Sequence, residues 1–140
     1  MIILIGATSY LGKSLIPKLR NAKTPYTSLS FNKLGEKITD EVVKLVLKED
    51  ISAIYYIAGS QSSGDKTQDI DSLILSNISL PLKLLSIIKY HSKNTIFISI
   101  GTAWQINHKL DYSPLNLYAA SKDSFERLAL HYSLDGIKVG

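Results

Sequence analysis

The sequence predicts an α/β fold built on a doubly wound parallel sheet. Three observations predict it. A short unbroken apolar run opens the chain and stops at a glycine; strand-like and helix-like segments then alternate; and no internal repeat, low-complexity tract or linker interrupts them. Alternating elements of this kind form one sheet with helices on both faces. The 140 residues fall within the usual size of one domain, so 1–140 is read as a single domain. Composition agrees, with 45% hydrophobic and 20% charged residues.

The elements follow in order. Met1 to Ile5 is apolar throughout, as a strand buried on both faces requires. Gly6 ends it, and Leu11, Leu15, Ile16 and Leu19 recur at helical spacing. Tyr26 to Phe31 reads as the second strand. A third strand is reduced to a residue or two near Lys37 and Ile38. Thr39 and Asp40 offer an N-cap and first-turn charge for a helix over Glu41 to Lys48. Ile51 to Ile57 is the next strand, followed by a Ser- and Gly-rich loop from Gly59 to Lys66. Asp69 to His91 reads as one long helix with two apolar rows, Leu73, Leu80, Leu84, Ile87 and Ile74, Ile78, Leu85, Ile88, more than one sheet face needs. Pro81 implies a kink there, or a break after Ser79 or Leu80.

Two motifs carry chemistry. Strand, glycine-punctuated turn and helix is the context in which a dinucleotide fingerprint has meaning. Gly6 allows the tight turn, Gly12 lets the helix lie close to the strand, and the intervening N–H groups can receive a pyrophosphate. Ser9 occupies the middle position. Its Cβ would crowd a phosphate, whereas its hydroxyl can cap the helix or donate to the phosphate. Further on, Tyr118 and Lys122 in YAASK share one helix face, so both can act on one bound molecule. A free phenol, with a pKa of about 10, is a poor base near neutrality, and a neighbouring cation favours the phenolate.

Both motifs in this order resemble the short-chain dehydrogenase/reductase superfamily. GATSYLG is similar to the glycine motif of its extended branch, the NAD-dependent epimerase/dehydratase family, with Ser9 where glycine is usual. IYYIAG, ending in Ala58 and Gly59, is similar to the strand leading into the family's cofactor-lining turn. TIFISIGTAW is similar to the strand and hydroxyl-bearing loop before the active-site tyrosine, and NLYAASKDSFE carries the Tyr-x-x-x-Lys pair. The segment from Asn77 through Tyr132 resembles the sugar-nucleotide enzymes of surface-polysaccharide synthesis, nearest to CDP-abequose or paratose synthase-like reductases.

The resemblance implies a Rossmann-like doubly wound parallel sheet, incomplete at the C-terminus and without the C-terminal substrate lobe, because the sequence stops at GIKVG where the next parallel strand begins. The reduced third strand departs from the family. The implied activity is an NAD(P)-dependent oxidoreductase or epimerase acting on a nucleotide-activated deoxysugar. The alternative is a truncated, catalytically silent nucleotide-binding or assembly module. Tyr118 is then the acid/base, and Lys122 holds the nicotinamide ribose and depresses the phenol's pKa. Thr102, with Ser99 second, bonds the reacting oxygen; Ser99 also fits a strand serine bonded to backbone. The implied cofactor-binding set is Gly6, Ala7, Thr8, Ser9, Tyr10, Leu11, Gly12, Asn32, Lys33, Ala58, Gly59, Tyr118 and Lys122. The second strand closes on Phe31, Asn32 and Lys33, and Lys13 follows the glycine turn. With no acid to bond the ribose hydroxyls of NAD, NADP is preferred over NAD, although Lys33 also fits a plain surface lysine. Asn77 fits structural duty. Trp104 and Gln105 either line the sugar pocket or cover the core. The family's helices matching 69–91 and 117–132 form a dimeric bundle, so a homodimer is implied unless both apolar rows are covered within one chain.

Composition narrows the partners. The net charge of +4 comes from lysines scattered among acids, a solvated basic surface and not a nucleic-acid face. No unbroken apolar run approaches the ~20 residues of a bilayer span, and the first strand lacks the basic flank of a signal peptide, so no membrane partner is expected. The absence of cysteine excludes disulfides and thiolate metal sites and is compatible with a cytoplasmic location. His91, His108 and His131 share no ligand spacing, so no metal is expected.

Overall fold

The computed structural model describes residues 1–60, 66–106 and 113–140. Strand β1 (Ile2–Ile5) is followed by helix α1 (Tyr10–Asn21), strand β2 (Tyr26–Leu29), a single helical turn α2 (Phe31–Leu34) and a 3₁₀ turn (Gly35–Lys37). Helix α3 (Ile38–Lys48) and strand β3 (Ala53–Tyr56) come next. Helix α4 (Thr67–Ile74), a π turn (Leu75–Ser79) and helix α5 (Leu80–His91) then run on without interruption. Strand β4 (Ile96–Ser99), a 3₁₀ turn (Ala103–Gln105) and helix α6 (Leu117–Leu134) complete the order.

The four strands are all parallel in the order β2-β1-β3-β4. The chain winds outward from β1 to β2, crosses back over β1 to β3, and continues to β4. The direction of winding therefore reverses between β1 and β3, and in such sheets ligands bind beyond the strand ends at that reversal. One face carries the larger core, in which Ile3, Ile5, Ile54, Tyr56 and Phe97 meet Val42, Leu84, Ile88 and Phe125 of α3, α5 and α6. The other face carries Ile2 and Ala53 against Leu19 of α1. The Tyr56 and Phe97 rings stack with centroids 6.1 Å apart, and Phe125 tilts against Phe97 at the same distance.

Several expectations change. The second strand stops at Leu29, because Phe31 to Leu34 curl into a helical turn. The reduced third strand is no strand at all: Lys37 closes a 3₁₀ turn and Ile38 begins α3. Ile38 is fully buried, so this position serves the core and not a sheet edge. Thr39 and Asp40 lie inside α3, where Thr39 Oγ1 donates back to the Glu36 carbonyl at 2.8 Å. The break expected near Pro81 takes the form of the π turn just before it; Pro81 sits in the first turn of α5, and the Ser76 carbonyl five residues back accepts from the Tyr56 hydroxyl instead. Leu73, Leu80 and Leu84 of one apolar row and Leu85 and Ile88 of the other are fully buried within this chain, while Ile74 stays 45% exposed.

The continuous stretch Asp69–His91, 23 residues with a mean hydropathy of 1.4 in its most apolar window, is long and apolar enough to cross a bilayer by length and composition. A search for unbroken apolar runs misses it, because Ser72, Ser76, Asn77 and Lys83 interrupt the pattern. Beyond β4, Lys138 to Gly140 already pair with it in parallel: Phe97 N donates to Lys138 O at 2.9 Å and Ser99 N to Gly140 O at 2.8 Å.

Candidate active site

The glycine turn is shaped by close backbone contacts. Gly6 has φ +104°, and a Cβ there would stand 2.5 Å from Ala58 N. The turn after β1 thus presses directly on the turn after β3. A Cβ on Gly12 would meet Gly6 O at 2.4 Å and Ala7 C at 2.8 Å, so α1 can lie on the turn only without a side chain there. Ser9 takes the capping role, accepting from Gly12 N at 3.0 Å, and its own proton remains available to donate. The first-turn N–H groups of α1 point out of its end, with no acidic residue among them.

A cavity of about 780 Å³ opens over this turn. Gly6, Ala7, Thr8, Ser9, Tyr10, Asn32, Lys33, Ala58 and Gly59 line it, together with Ser28, Ser30, Leu34 and Ile57, which sequence reasoning missed. The hydroxyl-rich SLSFNK segment held the signal for the two serines. A second cavity of about 310 Å³ adjoins the first, and Ser9, Tyr10, Ile57 and Gly59 belong to both walls. Leu11, Tyr118 and Lys122 line this second part with Ile100 and Gly101. The glycine turn and the Tyr-Lys pair therefore border one crevice at the strand reversal. Gly12 lines neither part, since it lies buried beneath the turn.

Asn116 caps α6, accepting from Ala119 N at 2.9 Å, and starts the helix one residue before Tyr118. Lys122 is only 7% exposed, and no ion pair involves it among the described residues. Burial lowers its pKa, while Glu126 one turn on acts to raise it. Burial also raises the pKa of the Tyr118 phenol. Burial is the cause of this rise, and its direction is opposite to the depression expected from Lys122. The Trp104 ring meets Tyr118 edge-on at 6.3 Å, which places it beside the crevice.

The two candidate hydroxyls stand elsewhere. Thr102 Oγ1 accepts from Trp104 N at 3.3 Å, while Gln105 Oε1 accepts from Thr102 N at 2.7 Å, forming a capping box. Ser99 lies in β4 beside Gly140, and neither Ser99 nor Thr102 is among the lining residues. Gln105 is buried in its capping role. Asn77 is also structural: Ser60 N donates to its Oδ1 at 3.1 Å, and its Nδ2 donates to Ser60 O at 3.1 Å and Ser121 Oγ at 2.9 Å. Among the described residues no three His, Cys, Asp or Glu side chains are grouped to hold a metal. His91 ends α5, His131 faces Asp135 with Nε2 3.6 Å from its Oδ2, and His108 lies outside the described residues.

The family model described as NAD dependent epimerase/dehydratase family matches residues 2–139. No curated protein sequence matches the chain. Among solved structures, it is similar to Pal from Bacillus thuringiensis, with 15% identity and a TM-score of 0.82, over 99% of this chain and 53% of that one. It is similar to RMD from Pseudomonas aeruginosa complexed with NADPH, with 23% identity and a TM-score of 0.75, over 99% and 52%. UDP-glucose 4-epimerase with UDP-glucose from Thermotoga maritima matches with 16% identity and a TM-score of 0.74, over 99% and 53%. The chain thus spans about half the length of these structures, and at such identities they establish the fold.

Proposed function

The chain belongs to the NAD dependent epimerase/dehydratase family, and from that premise we propose that residues 1–140 form one NAD(P)-binding unit of an oxidoreductase or epimerase acting on a nucleotide-activated deoxysugar. The observation that carries this reading is the buried Lys122 ammonium, without an ion-pair partner among the described residues, on the same crevice as Tyr118 and the α1 N-terminus. A buried cation of this kind calls for oxygen ligands. The ribose hydroxyls of a dinucleotide whose pyrophosphate rests on the first turn of α1 supply them. The complexes with NADPH and with UDP-glucose among similar structures support the same ligand classes.

Lys122, Tyr118 and the first turn of α1 would hold a nicotinamide dinucleotide, which would supply hydride chemistry at the sugar carbon. This chain's own residues do the rest. Tyr118, kept protonated by burial, gives its proton to a sugar carbonyl oxygen, or takes one from a hydroxyl in the reverse direction. Lys122 fixes the ribose and favours the phenolate once the proton has left. Trp104, edge-on to Tyr118, covers the sugar. Asn32 and Lys33 line the larger cavity with Ser28 and Ser30, and no carboxylate lines it among the described residues, which favours NADP over NAD. Within the sugar-nucleotide class, the motifs between Asn77 and Tyr132 favour a reductase of the CDP-abequose or paratose synthase type. A homodimer forms through 69–91 and 117–132, where Ile70, Ile74 and Leu128 are exposed. The location is cytoplasmic.

A second reading rests on length. Because the chain spans about half of the similar structures, it also fits a nucleotide-binding or assembly module without turnover. Calorimetric titration with NADPH and NADH tests both. Binding of NADPH tighter than NADH supports the first reading, hydride exchange with a sugar nucleotide separates it from the second, and no binding of either at millimolar concentration removes it.

A further inference from the structure

The loop after β4 and the helix bearing Lys122 meet at a glycine. A Cβ on Gly101 would stand 2.7 Å from Glu126 Oε1 and 3.0 Å from Gln105 Oε1. The Glu126 carboxylate is therefore seated on the Gly101 backbone, opposite the amide oxygen that closes the Thr102 capping box. Glu126 lies one helical turn beyond Lys122, on the same face as Lys122 and Tyr118. Gly101 itself lines the crevice beside Tyr118.

We propose that Glu126 is a positioning residue of this site: its carboxylate docks the Gly101–Gln105 loop against α6 and supplies the counter-charge for the buried Lys122 ammonium. The proposal deepens the dinucleotide reading, on which its functional meaning rests. Two demands explain the arrangement. A lysine buried to 7% exposure loses hydration and drifts toward its neutral form, which holds ribose oxygens less well. A carboxylate in direct contact with Lys122 would occupy the ammonium's donors, whereas one a turn away leaves them free and still favours the charge. Docking on Gly101 holds the carboxylate at that remove.

The groups facing Lys122 are few. On its own helix they are Tyr118, which shares the cavity, and Glu126. From neighbouring elements Gly59 and Asn77 approach, since a Cβ on Gly59 would lie 2.8 Å from Asn77 Oδ1 and 3.3 Å from Lys122 Nζ, and neither can ionise. Tyr56 donates to the Ser76 carbonyl and is kept neutral by burial. Glu126 is thus the negative charge acting on Lys122 among the described residues.

The test is the NMR titration of Lys122 in ¹³C-lysine-labelled, ligand-free protein, its signal assigned by Lys122→Arg. Glu126→Gln keeps the shape and loses the charge, and its Lys122 midpoint should fall to lower pH. Glu126→Asp should restore part of the fall. Gly101→Ala, which pushes the carboxylate from its seat, should lower the midpoint with Glu126 unchanged. NADPH affinity should weaken about three- to tenfold in Glu126→Gln, more as pH rises. A Lys122 midpoint identical in wild type and folded Glu126→Gln would overturn the proposal. If wild type binds no dinucleotide, the reading of function fails, and the lysine titration still decides the role of Glu126.

Discussion

Asn77 Nδ2 donates to Ser121 Oγ at 2.9 Å, joining the π turn to the helix that carries Tyr118 and Lys122. The same side chain holds both the N–H and the carbonyl of Ser60, just beyond Gly59. Three segments of the crevice wall, distant in sequence, are therefore fixed by one buried amide. Asn77→Ala removes these bonds, while Ser60 N keeps Ser76 Oγ and Ser121 Oγ keeps the Tyr118 carbonyl, and should cost roughly 1–3 kcal/mol. Urea denaturation measures this, and a loss below about half a kcal/mol would show that water replaces the amide.

Gly12 and Gly35 separate crowding from backbone strain. At Gly12 the obstructing atoms are main chain, 2.4 and 2.8 Å from where a Cβ would stand, and cannot swing aside. Gly12→Ala should cost roughly 3 kcal/mol or more and lift α1 from the turn. Gly35 has φ +53° with nothing within 4 Å. At φ +53°, ψ −132°, outside the left-handed helical well, Gly35→Ala should cost about 1–3 kcal/mol of backbone strain alone. Equal losses in the two variants would contradict the close approach of α1 to Gly6.

The Tyr56 hydroxyl donates to the Ser76 carbonyl inside the π turn, and burial raises its pKa. The unfolded chain releases this proton near pH 10, whereas the folded chain retains it. Tyr56 thus favours the folded state fully below about pH 10, and stability falls as pH rises toward the higher folded value. Tyr56→Phe should lose roughly 1–3 kcal/mol at neutral pH and show a shallower alkaline decline. Denaturation at about pH 8 and about pH 10.5, on either side of the free phenol's pKa, compares the two slopes.

Tyr118→Phe removes the proposed proton donor and leaves Lys122 and the α1 N-terminus in place. Turnover on a sugar nucleotide should fall by about 10²-fold or more, while NADPH affinity stays within about threefold. Single-turnover hydride transfer and calorimetry separate the two. Comparable losses in both would assign Tyr118 to cofactor binding and not to proton transfer.

Much of the fold was legible because its signals are local. The apolar run of β1, the spacing of the glycines at 6 and 12, and the i, i+4 spacing of Tyr118 and Lys122 can each be read within a few residues, so the sequence alone determined the parallel α/β order and both ends of the crevice. The segment after β2 was not legible as a strand or helix from its composition; burial of Ile38 against the larger core decided for helix. The π turn was hidden as well, since its register depends on Tyr56 reaching the Ser76 carbonyl from another element. Tertiary structure alone also set the charges: enclosure of Tyr118 raises a pKa that a neighbouring lysine was expected to lower. It alone seated Glu126 on Gly101. Spacing along a helix specifies which side chains share a face, but desolvation and close approach depend on what folds over that face.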